Sequence, residues 1–98
     1  MFNNARYLTK GISADIPIEV QFLMWGVIDD MPVEKDYLQV FELSIEYVHG
    51  KPHQKIIHRQ EQPDYRKEHI FKVDKPVDEK VFAIDDQTHS TMLLATEY

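Results

Sequence analysis

From Tyr37 to Ala95 apolar and polar side chains alternate along most of the chain, and a single earlier stretch has helical spacing. That imbalance constrains the fold more than any other feature, because one helix can roof one face of a sheet and leaves the other open. The clearest run is Tyr37 to Val48. Tyr37, Phe41, Leu43, Ile45 and Tyr47 share one side, with Glu42, Ser44 and Glu46 between them, as in a half-buried antiparallel strand. His49-Gly50-Lys51-Pro52-His53 reads as a turn, since glycine supplies positive φ and proline interrupts regular pairing. Gln54 to Gln60 returns as the second arm, and Gln62-Pro63-Asp64 breaks the chain. Tyr65 to Val73 is expected to form another strand, ended by Asp74-Lys75-Pro76. Val81 to Ile84 and Thr91 to Ala95 then make a last pair across Asp85–Ser90.

The helical stretch runs from Pro17 to about Met31, entered through Ser13-Ala14-Asp15-Ile16. At 100° per residue Val20, Met24, Val27, Ile28 and Met31 share a face opposite Glu19, Gly26 and Asp30. Ile18 and Trp25 widen the apolar arc, and Phe22 and Leu23 flank the polar stripe, which predicts a helix covered on several sides. Asp29 and Asp30 sit at its C-terminus, where carboxylates oppose the helix dipole, and nothing in the sequence accounts for them. Ahead of the helix, Arg6 to Ile12 reads as a short strand. The expected fold is α+β: one α-helix packed on a mainly antiparallel twisted β-sheet, order β-α-β-β-β-β-β, in a single domain over residues 1–98.

At 98 residues, with 43% hydrophobic and 29% charged, the chain has material for one core and is far from a disordered composition. The absence of cysteine excludes a disulfide framework, a thiolate metal site and a cysteine nucleophile. No apolar run approaches the roughly 20 residues of a membrane span, and Met1–Lys10 lacks the apolar centre of a signal peptide. A soluble, cytoplasmic protein is expected.

The formal charge of −6 is unevenly spread. Residues 1–48 carry −5 and residues 76–98 carry −4, whereas 49–75 carries +3 and four of the five histidines. Within that stretch Lys51, Lys55, Arg59, Arg66 and Lys67, with Tyr47 and Tyr65 as stacking surfaces, form the candidate for nucleic-acid contact. Glu61, Asp64 and Glu68 in the same stretch, and the acidic flanks, weigh against it.

Catalytic signals are weak. His49-x-x-x-His53 copies a zinc-ligand spacing, but one that works on a helix rather than on a turn. Asp85-Asp86 lacks the alternating ligands and central glycine of a calcium loop and reads more simply as a turn former. A small metal-dependent or hydrolytic enzyme would need His58, His89, Asp85 and Asp86 to converge in one pocket. No catalytic residue, metal ligand or cofactor is assigned.

Three groups of residues carry a resemblance. Arg6-Tyr7-Leu8-Thr9-Lys10-Gly11-Ile12 with Ile16-Pro17, Trp25 and Ile28-Asp29 is the first. Tyr37–Leu43 and Ile56–Glu61 are the second, and Ser90–Leu94 the third. Together they resemble a small family from Gram-positive bacteria (Firmicutes) described only as a domain of unknown function. The resemblance implies a bacterial, non-secreted protein and brings no site residues with it.

The remaining reading is a non-catalytic protein-interaction module, expected to be a homodimer that meets its partner through the uncovered sheet face or a sheet edge. Leu38, Val40 and Val48 lie opposite Phe41, Leu43 and Ile45, so a helix on one face leaves them out. Ile57 is expected at the apolar centre of the site, with Arg59 on its polar rim.

Overall fold

The computed structural model describes Met1–Tyr98. In chain order it contains β1 (Ala5–Leu8), α1 (Lys10–Asp15), α2 (Ile18–Asp29), β2 (Leu38–Val48), β3 (Lys51–Gln60), β4 (Tyr65–Phe71), β5 (Glu79–Asp85), β6 (His89–Leu94) and a closing 3-10 turn, Ala95–Glu97. The six strands form one sheet, ordered β1-β6-β5-β2-β3-β4. Every neighbouring pair is antiparallel except β1 and β6.

The α+β, mostly antiparallel architecture is therefore as expected, but the order is β-α-α-β-β-β-β-β rather than β-α-β-β-β-β-β. The difference lies in the first strand, which stops at Leu8. Thr9 N-caps α1 by accepting from the Ile12 amide at 3.3 Å. Thr9 Oγ1 in turn donates to Glu97 Oε1 at 2.6 Å, and Glu97 Oε2 accepts from the Gly11 amide at 3.2 Å. The partner that turns the end of the expected strand, Lys10–Ile12, into helix thus lies 86 residues away. A Cβ at Gly11 would sit 2.6 Å from that carboxylate. Gly11→Ala should gain nothing from its better helix propensity, because it displaces Glu97; we expect a melting temperature within about 3 °C of the parent by calorimetry.

Between β2 and β3 the chain turns on His49 (φ 50°) and Gly50 (φ 77°) alone, the two-residue geometry that suits the twist of a hairpin. Lys51, Pro52 and His53, expected in the turn, are already paired with Val48, Tyr47 and Glu46. Proline is tolerated there because β4 pairs only as far as Gln54, which leaves β3 one neighbour at that end.

Both helices lie on one face of the sheet. Val20, Met24, Val27 and Ile28 of α2 meet Phe41, Leu43, Ile56, Val81, Ala83 and Met92, and Ile12 and Ile16 complete the layer from the α1 side. Phe2 joins this core at 1% exposure. Its amide donates to Asp85 Oδ2 at 2.5 Å, and its φ of 64° is unusual for a bulky residue. Arg6 explains the carboxylates at the end of α2. Its guanidinium donates to both Asp29 oxygens, at 2.5 and 3.2 Å, while lying 4.7 Å from the Trp25 ring centroid.

The expectation of a helix covered on several sides does not survive. Ile18 and Phe22 are each 68% exposed on the side of α2 that faces away from the sheet. Nothing stacks on that side, because the chain has only two layers, 20 Å across its thinnest extent.

Candidate functional site

Two surfaces and one buried cluster hold what the sheet brings together. The first surface is the sheet face that no helix covers. Register places Val40 opposite Arg59 and Phe82, Leu38 opposite Ile84, and Glu42 opposite Ile57 and Lys80. Leu93 stands opposite Phe82 on the next strand. The five residues expected at an interaction site, Leu38, Val40, Val48, Ile57 and Arg59, do share this outer face. Leu38, Val40, Ile57 and Arg59 adjoin one another, while Val48 lies at the far end of the hairpin beside Lys51. Val40 is only 7% exposed, hemmed in by its strand neighbours, and the other four are half-buried. Phe82, Ile84 and Leu93 complete the apolar strip and were not anticipated, because their pairing with β2 is a long-range fact. Tyr98 stands edge-on to Phe82 with ring centroids 5.6 Å apart.

Charged side chains border this strip. Arg59 faces Glu42 at 3.8 Å, and Lys55 lies 3.2 Å from Glu68, which Arg66 also meets at 2.9 Å. The Arg66 and Lys55 hydrogen bonds hold the Glu68 carboxyl below its ordinary pKa. Three of the five cations proposed for nucleic acid are therefore paired with carboxylates. Lys67 pairs across from His58, on the opposite face of the sheet from Arg59 and Arg66. The candidate basic hairpin is thus largely neutralised, with Lys67 turned away and Lys51 left exposed and unpaired at the hairpin's end.

The catalytic alternative fares no better on geometry. His89 and Asp86 lie 3.4 Å apart in the β5–β6 turn. Asp86 accepts from the amides of Thr88 and His89 and from the Thr88 hydroxyl. These bonds, led by that hydroxyl, lower its pKa to about 2. Asp85 is buried and works as a clamp, accepting from Phe2, Asn4 and Gln87. Burial raises its pKa, but the amides of Phe2 and Gln87 outweigh it and the net effect is a lowered value. His58 is on β3, fully buried under the helices. The four residues do not converge on a pocket. The largest concavity, about 590 Å³, lies along Ser13–Ile18 with Asp15 and Lys75 as its titratable lining.

The buried cluster was not anticipated either. Gln39, Gln54, His58 and Gln60 are inward-facing polar residues in a layer otherwise apolar. Gln54 holds the segment between β4 and β5, accepting from the Val77 amide at 2.8 Å and donating to the Val77 carbonyl at 3.0 Å. Gln60 donates to the carbonyls of Glu34 and Pro63, and Gln39 donates to Gln60 Oε1 and to the Asp36 carbonyl. Both Gln39 amide protons are thereby used, so Gln39 Oε1 must accept from His58 Nε2, 2.6 Å away. That fixes the neutral His58 tautomer, with the lone pair on Nδ1. Nδ1 has no hydrogen-bond partner in the protein. The ring is stacked on Phe41 at 4.7 Å and meets the Tyr65 ring edge-on at 5.5 Å. Burial, then the nearby His69, push the His58 pKa down to about 4. Period two along Gln54, Ile56, His58 and Gln60 marks these residues as sharing a face; it does not tell that their polar atoms are satisfied by loops.

A two-layer α+β protein with one open sheet face is the class these features define. The chain belongs to the family described as Staphylococcal protein of unknown function (DUF960), whose model matches residues 5–97. Among solved structures it is similar to the crystal structure of the protein of unknown function from Enterococcus faecalis. The two share 23% identity and a TM-score of 0.78 over 98% of this chain and 92% of that one, a likeness of fold. A search of curated proteins finds no match. No helix is long and apolar enough to cross a membrane.

Proposed function

We propose that this chain is a non-catalytic protein-interaction module of the cytoplasm that takes another protein on the outer face of its sheet. One observation carries the reading: Leu38, Val40, Ile57, Phe82, Ile84 and Leu93 lie side by side on four adjacent strands under no helix. An apolar centre bordered by the Glu42–Arg59 and Lys55–Glu68–Arg66 pairs has the arrangement of an interface core with a polar rim. The rim pairs supply register and orientation more than affinity, since exposed ion pairs contribute about 0–1 kcal/mol each.

The test is to compare what co-purifies with the parent chain and with Leu38→Glu and Ile57→Glu from the native host. Circular dichroism would establish that the variants are folded. A protein retained by the parent and lost from both variants supports the reading. Retention by both variants, or no co-purifying protein with the parent, refutes it.

A further inference from the structure

The second surface lies on the helix side of the molecule, where the largest concavity opens because the chain breaks between α1 and α2. Ile16 leaves the helical region at φ −111° and ψ 118°, as a residue ahead of proline does. Gln21, one turn into α2, reaches back across the break, its Nε2 donating to the carbonyls of Ile16 at 2.8 Å and Ile12 at 3.4 Å. Gln21 is 7% exposed and lines the concavity. Its Oε1 accepts nothing from the chain and yet, unlike His58 Nδ1, is not sealed inside the protein. A buried acceptor left open in this way calls for a donor from outside. The backbone adds more acceptors, because the carbonyls of Ser13, Ala14 and Asp15 take no hydrogen bond from any amide of the chain.

The charges around this opening have the matching sign. Asp15 stands on its rim, Glu19 and Asp74 line the adjoining concavity, and Lys75 borders both. Three carboxylates therefore face one ammonium, and none of the four is paired with an opposite charge in the chain. The first amides of α2 and Lys75 favour an anion at one corner, but Glu19 in the first turn and Asp74 already supply negative charge there. The remaining wall is apolar, with Leu8, Ile18 and Val77.

We propose that this cavity binds a small organic ammonium ion, a primary amine on a short alkyl chain. Its head carries three donors and no acceptor, and these go to Gln21 Oε1 and the Asp15 carboxylate, while its chain lies along Leu8, Ile18 and Val77. The volume, about 590 Å³, is within the range of small-molecule sites. The cavity is on the opposite side of the sheet from the face discussed above, so this inference does not rest on that reading.

Cadaverine, a five-carbon diamine, is the probe, titrated into the isotope-labelled chain at low ionic strength and followed by amide chemical shifts. The five-carbon diol and glutarate are the neutral and anionic controls. Saturable shifts centred on Ser13–Gln21 and Lys75–Val77 are expected, with a dissociation constant below about 1 mM. Asp15→Asn should weaken binding about fivefold and Lys75→Ala should tighten it about twofold, whereas Asp64→Asn, in the β3–β4 turn, should change nothing. All three side chains are exposed, so the fold is not at stake. Lysine capped at both backbone ends distinguishes the source: binding tighter than that of cadaverine supports the ammonium site and assigns it to a lysine side chain of a partner. Equal shifts with the diol, or binding of glutarate instead, overturn the inference. So do an equal loss in Asp15→Asn and Asp64→Asn, which would mean diffuse attraction only, and the absence of saturable shifts with both amines at about 10 mM.

Discussion

Replacing Phe2 by alanine should destabilise the protein by about 3–5 kcal/mol, the range for emptying a buried aromatic site. The second residue of a chain is ordinarily the safest to change. Here the ring is 1% exposed inside the main core, and three bonds tie its backbone and its neighbour. The Phe2 amide donates to Asp85, the Phe2 carbonyl accepts from Arg6, and Asn4 donates to Asp85. The positive φ of Phe2 shows how firmly the surroundings dictate its placement. For a chain of this length each kcal/mol moves the melting temperature by about 4–8 °C, so calorimetry should show a fall of more than 10 °C. Phe2→Leu should recover most of it. A fall of under about 4 °C for the alanine variant would mean that the N-terminal segment contributes little to the fold.

Acid should weaken the protein in a window set by His58. Its pKa is about 4 in the folded chain against about 6.5 for an unhindered histidine. Between those values the unfolded state binds the proton and the native state does not, so stability falls as pH falls. Above about 6.5 nothing is lost, and below about 4 the loss stops growing. The full effect is about 3 kcal/mol at 1.36 kcal/mol per unit. The cause is specific. Nε2 is committed to Gln39, so the incoming proton must go to Nδ1, between Phe41 and Tyr65, where no acceptor waits. From β4 the His58 ring is flanked by His69, Lys67 and Tyr65, and the loop carrying Glu34 and Asp36 anchors the Gln39 and Gln60 beside it. The buried residues of α2 include no titratable group. His69 is itself lowered, first by burial and then by Lys67, and so acts in the same direction. Urea denaturation from pH 7.5 to 4 measures the effect. His58→Gln, which keeps a donor for Gln39, should flatten most of the slope; an unchanged slope would clear His58 of it.

The strand pattern was legible because each face of a strand repeats every two residues. Ile56, His58 and Gln60 against Ile57 and Arg59 are separated in the structure as that period requires, whereas Glu61 lies beyond the strand in the turn that follows it. The buried stripe of α2 was legible for the same reason. Leu38, Val40, Ile57 and Arg59 could be put on one side by parity alone, and register confirms that they adjoin. Parity carried no information about which strands would neighbour β2, so Phe82, Ile84 and Leu93 were missed. It also could not tell that Lys55, Arg59 and Arg66 would each stand within reach of a glutamate.

Local periodicity and turn chemistry are properties of adjacent residues, and they determined the class of this protein: a helix-roofed sheet, mostly antiparallel. The remaining decisions join distant parts of the chain. Glu97 makes Lys10–Asp15 a helix, Asp85 brings Phe2 into the core, and Arg6 accounts for the acidic end of α2. The two-layer architecture, with nothing above α2, left Ile18 and Phe22 in solvent although their types suit a covered face. Tertiary structure decided these because each depends on a contact whose partner lies too far along the chain for any local pattern to announce it.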